Sequence, residues 1–141
     1  MNTETLKHSY DFEVLAEHID ELGHVNNVVY VQWIQDAAVQ HWNRVAPEHI
    51  IKNYVWVIVR HEIDYKRPAL AGDILHIETQ VLNAERVSSV RQVKIFRKDG
   101  MKLLVEAQTT WCMIDLSTQR PVSIPDEIKV VFLGDKAEKK S

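Results

Sequence analysis

The chain has 141 residues, of which 45% are hydrophobic and 26% are charged, and its formal net charge is −3. This length is typical of one domain, the apolar fraction excludes a disordered chain, and 17 basic against 20 acidic residues argue against a general nucleic-acid binder. No apolar run is long enough to span a bilayer, and residues 1–10 contain no signal-like apolar stretch. Cys112 is the single cysteine. We therefore expect a cytoplasmic protein with no membrane partner.

The first half of the chain predicts one strand and one long helix. We expect the strand at residues 9–17. Residues 27–45 contain no Gly or Pro, and their apolar side chains recur with the spacing of a helix face. Asn26 or Asn27 suits the N-cap, and Pro47 closes the segment. Additional valines widen the apolar face, so we expect other elements to wrap this helix.

Beyond the helix the hydrophobic period changes to two, which predicts strands. Four strands are expected, with turns at residues 68–73 and 83–86 and a hairpin at Asp99-Gly100. One short helical turn is expected after Pro125. The predicted strands cover residues 54–65, 74–82, 87–98 and 101–115.

This order predicts an α+β fold in which a five- to six-stranded antiparallel sheet wraps a long central helix. Residues 1–135 are expected to form the single domain, and residues 136–141 a charged, disordered tail. A sheet edge left uncovered would favour a homo-oligomer, either a homodimer or a homotetramer.

The densest polar segment lies between the first strand and the helix. The first N–H groups of a helix have no internal acceptor and carry partial positive charge, so they suit a carbonyl oxygen or an oxyanion. Gly23 permits a tight turn beside such a site. Asp20 lies upstream, where a carboxylate would act as nucleophile or as base for water. Ordinary loop and cap chemistry is the competing interpretation of these residues.

The same segment resembles the signature of hotdog-fold acyl thioesterases, both the 4-hydroxybenzoyl-CoA and the acyl-carrier-protein groups. The resemblance continues through Ile63-Asp64-Tyr65 and the Asp99-Gly100 hairpin to Arg120-Pro121, and covers most of the chain. The most specific part reads Asp20-x-x-Gly23-His24-Val25-Asn26-Asn27-x-x-Tyr30-x-x-Trp33.

The resemblance implies hydrolysis of an acyl-CoA, or of an acyl-carrier-protein thioester, to a free acid and a thiol. It implies that Asp20 is the catalytic carboxylate, that the Asn27 backbone N–H polarises the carbonyl and that His24 and Asn26 organise the water. It also implies a hotdog fold and no cofactor beyond the coenzyme A of the substrate. The chain departs from the carrier-protein branch at Leu22, where that branch has Asn.

Other residues are weaker candidates for the site. Asp36, on the polar stripe of the helix, is the second choice for the catalytic carboxylate, with a solvated helix face as the alternative. The sequence shows no metal-ligand spacing, so no metal site is expected. Candidate substrate-binding residues are Gly23 and Tyr30, together with a cluster suited to coenzyme A phosphates, namely Arg86, Ser88, Ser89 and Arg91.

Two other functions share the expected fold. One is an enoyl-CoA hydratase or dehydratase, which would use a paired His and helix carboxylate that the sequence does not show. The other is an acyl-CoA-binding module without catalysis.

Overall fold

The computed structural model describes residues 3–137, which form one antiparallel sheet and a long helix packed against it. The expected α+β fold, with a long helix against a five- to six-stranded sheet, is confirmed. The elements in chain order are β1 (Lys7–Glu13), α1 (Asn27–Val45), α2 (Glu48–Asn53), β2 (Tyr54–Tyr65), β3 (Ile74–Glu85), β4 (Ser88–Arg97), β5 (Lys102–Asp115), β6 (Arg120–Pro121) and α3 (Asp126–Leu133).

The sheet has the strand order β1-β3-β4-β5-β2, and the two-residue β6 pairs with β5. All the pairings are antiparallel. Two of the connections are hairpins: Arg86 and Val87 join β3 to β4, and the Asp99-Gly100 turn joins β4 to β5. Because β1 and β2 each pair on one side only, they form the two edges of the described sheet.

The N-terminal half of α1 packs against the middle of the sheet. Tyr30, Trp33, Ile34 and Ala37 form one buried cluster with residues of the three central strands. Those sheet residues are Leu75 and Ile77 of β3, Val93 and Ile95 of β4, and Val105 and Ala107 of β5. Each strand contributes alternate residues because successive side chains of a strand point to opposite faces. This packing fixes the position of the α1 N-terminus.

A second cluster lies at the other end of the molecule and includes the C-terminal helix. Ile128 and Phe132 of α3 are buried there with Met113 of β5 and Ile50 of α2. The two helical residues are four apart, so they lie on one face of α3. Trp42 of α1 packs against the edge of this cluster.

The structure matches α1 and β2 at both ends and corrects three other predictions. The first strand ends at Glu13, because Val14 turns away to exchange backbone hydrogen bonds with residues 72 and 73. The turn expected at residues 83–86 is shorter, since β3 accommodates an irregularity between Val81 and Asn83 and continues to Glu85.

The third correction concerns the short helices. The helix after Pro125 has eight residues rather than one turn, because Ile128 and Phe132 bury its inner face. Helix α2 was not predicted, and Pro47 is its N-cap. Of the segment expected to be a disordered tail, residues 138–141 lie outside the described residues, and residues 136 and 137 end a short 3-10 turn. No helix in the described part of the chain combines the length and apolarity needed to cross a membrane.

Candidate active site

Asp20 opens a tight turn in the site loop, which we define as residues 20–27. Its Oδ1 accepts hydrogen bonds from the N–H groups of Leu22 at 2.9 Å and His24 at 3.2 Å. The Asp20 N–H donates to the carbonyl of His24 at 2.8 Å, and the Gly23 N–H donates to the carbonyl of Asp20 at 3.1 Å. Gly23 has φ +81°, a left-handed conformation that glycine adopts readily. Oδ1 therefore holds the turn, while Oδ2 makes no hydrogen bond within residues 3–137.

The site loop ends in the N-terminus of α1. Asn26 is the N-cap, and its side-chain oxygen accepts from the Val28 N–H at 3.0 Å. The N–H of Asn27, the first helical residue, finds no acceptor within residues 3–137. This amide carries the partial positive charge of a helix N-terminus, which suits a carbonyl oxygen or an oxyanion.

A neighbouring turn, residues 68–73, holds the site loop in place. The Val25 N–H donates to the carbonyl of Ala69 at 3.0 Å. The buried hydroxyl of Tyr30 accepts from the Ala69 N–H at 2.9 Å. Ala69 therefore connects the turn to both α1 and the site loop. Asp73 closes the turn through Oδ2, which accepts from Arg97 Nε at 3.1 Å. The site is thus built on a loop that three elements of the fold restrain.

The structure brings five of the sequence-predicted residues together in this loop. Asp20 and Gly23 form its turn, and His24 follows as an exposed side chain. Asn26 and Asn27 lead directly into α1. Tyr30, expected at the substrate, instead has its hydroxyl engaged with the backbone of Ala69, and burial raises the pKa of this phenol.

Asp36 lies apart from this loop in the same chain. It is nine residues beyond Asn27, or about 13 Å along α1. Its Oδ1 accepts from the Gln32 side chain at 2.8 Å. Burial, followed by the charge of Asp36, raises the pKa of Tyr10 on β1 to about 12.

The cluster proposed for coenzyme A phosphates does not share one surface. Arg86 is exposed in the β3–β4 turn, and Ser88 is half-buried. Ser89 and Arg91 are buried, with 3% and 4% exposure, because they follow the same alternation as the core residues Val93 and Ile95 on β4. Of these four side chains, Arg86 alone is exposed to solvent.

Sequence reasoning missed a buried polar network under the C-terminal half of α1. His41, with 0% exposure, donates from Nε2 to the carbonyl of Thr5 at 2.6 Å, and its Nδ1 faces Arg91 Nη1 at 2.9 Å. The same Nη1 donates to Thr79 Oγ1 at 2.9 Å. The signal in the sequence was the alternation of side chains along β4, which puts Arg91 on the same face as core residues. Within residues 3–137, no group of three or more His, Cys, Asp or Glu side chains is arranged to hold a metal ion.

Comparison with known proteins assigns the chain to a family. The family model described as the acyl-ACP thioesterase N-terminal domain matches residues 5–132. The long-chain acyl-CoA thioesterase FadM of Escherichia coli is 26% identical over 122 residues, which cover 83% of this chain and 90% of FadM. A chloroplastic palmitoyl-acyl carrier protein thioesterase of Gossypium hirsutum is also 26% identical, over 59% of this chain, but the match spans only 20% of the plant protein.

Solved structures agree with the fold. Slr0204, a 1,4-dihydroxy-2-naphthoyl-CoA thioesterase from Synechocystis, aligns with a TM-score of 0.79 at 20% identity, covering 91% of this chain and 96% of Slr0204. The chain belongs to the acyl-ACP thioesterase N-terminal domain family and is a thioesterase with the hotdog fold.

Proposed function

We propose that the protein hydrolyses acyl thioesters of coenzyme A, with acyl-carrier-protein thioesters as the alternative substrate. The observation that carries the proposal is the pairing of Asp20, which has one unbonded carboxylate oxygen, with the unbonded N–H of Asn27 across one short loop. Coenzyme A is the preferred carrier because the match to FadM spans nearly the whole of that acyl-CoA thioesterase, whereas the match to the plant acyl-carrier-protein enzyme spans a fifth of it.

The reaction divides between these two groups. Asp20 Oδ2 accepts a proton from water as the water oxygen attacks the thioester carbonyl carbon. The resulting oxyanion accepts a hydrogen bond from the Asn27 N–H. Collapse of the tetrahedral intermediate breaks the C–S bond, and the departing thiolate takes the proton from Asp20. The products are a free acid and a thiol, and no step calls for a metal or redox cofactor.

Asp20 also has a second route to the same products. Its carboxylate would attack the carbonyl directly, giving a mixed anhydride that water then hydrolyses. In either route, His24 and Asn26 border the reacting carbonyl and orient the water. Single turnover in ¹⁸O-water identifies direct attack when water opens the anhydride at the Asp20 carbon, because the label then enters Asp20 and the product carries an oxygen from the protein. The general-base route places the label in the product and none in Asp20.

A second copy of the chain is part of the proposal. Strand β2 is one of the two free edges of the described sheet, and three valines at alternate positions along it are exposed: Val55 by 40%, Val57 by 42% and Val59 by 60%. Exposed apolar edge strands pair readily with identical strands. We therefore expect a homodimer, or a homotetramer built from such dimers, with β2 paired antiparallel to its copy. In this assembly Arg86, exposed at the end of a hairpin, is the candidate for contact with the phosphates of coenzyme A.

A thiol-release screen tests the proposed function. It uses acyl-CoAs of increasing length, aromatic acyl-CoAs and one acyl-carrier-protein substrate. Asp20→Asn keeps an oxygen that accepts the two backbone hydrogen bonds of the turn, so the fold is retained while the base is lost. We expect kcat to fall by at least about 100-fold. Asp36→Asn is the matched control, and we expect it to retain most of the activity.

Other outcomes would contradict the proposal. A fully active Asp20→Asn enzyme would rule out the mechanism, and loss of activity in Asp36→Asn alone would transfer the role to Asp36. Hydration of crotonyl-CoA without thiol release would indicate a hydratase. Tight binding of acyl-CoA without thiol release would indicate a binding module.

A further inference from the structure

A cavity of about 240 Å³ lies under the C-terminal half of α1, between this helix, β2 and α3. Five aromatic residues line it, namely Trp42, Tyr54, Trp56, Trp111 and Phe132. An engineered apolar cavity of about 150 Å³ is large enough for benzene, so this one has room for a substituted ring or for a folded aliphatic chain. Its walls would bind the apolar body of a ligand.

One end of this apolar cavity carries a buried cation. Arg91 lines the cavity with 4% exposure, and its guanidinium lies 5.3 Å from the centre of the Phe132 ring. Both hydrogen bonds of the Arg91 side chain come from Nη1, one to His41 and one to Thr79. The donors on Nε and Nη2 therefore have no acceptor within residues 3–137.

No acidic side chain compensates this cation in the described part of the chain. None of the ion pairs there includes Arg91. Burial lowers the pKa of Arg91 to about 9, so the group still carries its charge at neutral pH. Its neighbour His41 offers only a neutral nitrogen, because burial and the charge of Arg91 lower the pKa of this imidazole to about 3. A buried unpaired charge is costly, which makes an anionic ligand the natural partner.

Two residues that line the cavity each carry a further polar group without a partner in the described part of the chain. The indole N–H of Trp111 is buried without an acceptor within residues 3–137. The hydroxyl of Ser89, whose residue is 3% exposed, makes no hydrogen bond there either. An indole and a guanidinium only donate hydrogen bonds. The complement of this set is an acceptor that carries negative charge, such as a carboxylate.

We propose that this cavity binds the acyl group of the thioester and that Arg91, together with Trp111, selects acyl groups that carry a carboxylate at their far end. The inference rests on the proposed function and names the substrate class for it. The aromatic walls hold the carbon chain of such an ω-carboxyacyl group, and the guanidinium and indole N–H groups bind its terminal oxygens.

The catalytic loop that serves this cavity belongs to the second copy of the chain. Within one chain, Ala38 and Trp42 lie about 16 and 22 Å along α1 from Asn27, and the close-packed core cluster fills the intervening space against the sheet. The mouth of the cavity carries Val39 and Val55, which are half exposed on the α1–β2 side.

The two-fold symmetry of a β2-paired dimer places the site loop of one copy at the same end as the cavity of the other. When two β2 edges pair antiparallel, the two-fold axis stands perpendicular to the sheet and reverses every direction in its plane. The two α1 helices then run in opposite directions on the same face. The site loop of one copy and the cavity of the other thus lie at the same end of the pair.

Matched acyl-CoA pairs test the proposal, since the members of each differ only in a terminal methyl or carboxylate. They are hexanoyl-CoA against adipyl-CoA and decanoyl-CoA against sebacyl-CoA. For at least one pair we expect wild-type kcat/KM to favour the carboxylate by about tenfold or more, the scale of a hydrogen bond to a charged group. Arg91→Met should abolish or reverse this preference. Arg120→Met, which replaces an exposed arginine on β6, should leave the ratio unchanged.

A second variant and a binding measurement keep the test decisive. Trp111→Phe keeps an aromatic ring on the cavity wall and removes the indole N–H with the five-membered half of the ring, so it should lower the preference several-fold in a folded protein. Calorimetric titration of Asp20→Asn with the same pairs measures affinity without turnover and should show the same order.

The outcomes separate this inference from the proposed function. Cleavage of both members of each pair with equal kcat/KM would leave a thioesterase in which the acid selection is wrong. A preference for the carboxylate that persists in Arg91→Met would assign the selection to another residue and overturn the proposal. If the wild type cleaves none of the thioesters, the proposed function fails, and the calorimetric order still decides whether the cavity selects the acid.

Discussion

Arg91 Nη1 lies 2.9 Å from His41 Nδ1, and this contact fixes the state of the buried imidazole. A guanidinium only donates, so Nδ1 must be the unprotonated, accepting nitrogen. The proton then sits on Nε2, which donates to the carbonyl of Thr5. His41 is therefore neutral, held in one tautomer between a strand and the segment that precedes β1.

This arrangement makes stability depend on pH. Burial, followed by the charge of Arg91, lowers the pKa of His41 from 6.5 to about 3. Below pH 6.5 the unfolded chain binds a proton at this residue and the folded chain does not, so the free energy of unfolding falls as the pH drops from 6.5 towards 3. The slope approaches about 1.4 kcal/mol per pH unit from this group.

Urea unfolding of wild type and His41→Gln across this pH range measures the effect. Glutamine still donates a hydrogen bond towards Thr5 but does not titrate. The variant should be the less stable protein at pH 7, and the difference should shrink as the pH falls. Parallel curves for the two proteins would show that His41 is not the group responsible. The exposed His24 supplies the matched control, since His24→Gln replaces a side chain that is not buried and should leave the stability at pH 7 unchanged.

The N-cap of α1 links stability to the proposed site. Asn26→Ala removes the acceptor of the Val28 N–H and should cost about 1 kcal/mol of unfolding free energy. It should also lower kcat, because the first turn that presents the Asn27 N–H is then free to fray. Asn26→Asp retains the cap and should recover most of the stability, as measured by thermal unfolding. Equal stability of the Ala and Asp variants would show that the cap contributes nothing.

Backbone strain at Gly23 gives a matched comparison within the chain. Gly23 and Gly100 have φ of +81° and +78°, and a Cβ at either position would meet nothing within 4 Å. Alanine at each should therefore cost a similar amount, about 1–2 kcal/mol, from the left-handed backbone alone. Only Gly23→Ala should also reduce kcat/KM, because it disturbs the turn that holds Asp20. Equal kcat/KM in the two variants would show that the turn holding Asp20 does not contribute to catalysis.

The elements that the sequence predicted well are those whose signals are local. Helix α1 runs over the predicted residues because its apolar period is uninterrupted and Asn26 caps it. The site loop was found because its residues are contiguous and match a known signature. The hairpin at Asp99-Gly100 was found for the same reason, since a two-residue turn signal lies between alternating strands.

The predictions that failed depended on contacts between distant residues. The end of β1 is set by hydrogen bonds from Val14 to the turn at residues 72 and 73, which lie almost sixty positions later in the chain. Arg91 looked like a surface residue beside Arg86 because charge is usually solvated. The alternation of β4 puts Arg91 on the same face as Val93 and Ile95, but that this face is covered follows from the pairing of β4 with both β3 and β5 and from the helices, which involve distant residues.

Tyr30 offers a test of how the 68–73 turn supports the site. Tyr30→Phe removes the acceptor of the buried Ala69 N–H and should cost about 1–3 kcal/mol in urea unfolding. Since Ala69 also accepts from Val25, the site loop should loosen and kcat should fall while KM changes little. Tyr65→Phe is the control, because the Tyr65 hydroxyl makes no hydrogen bond within residues 3–137. Matching losses in the two variants would indicate a general effect of removing a phenol oxygen.

The free edge of β2 leads to a prediction about assembly and activity together. Val57→Lys places a charge on the exposed face of this strand, and in an antiparallel pair the same charge comes from the second copy close by. Light scattering during size-exclusion chromatography should show a shift of mass from the dimer towards the single chain. Val130→Lys is the matched control, an exposed valine on α3 that should leave the mass unchanged. Because the cavity and the site loop of one chain lie far apart, kcat/KM should fall in step with the loss of dimer. Full activity in a single chain would show that each copy carries a complete site.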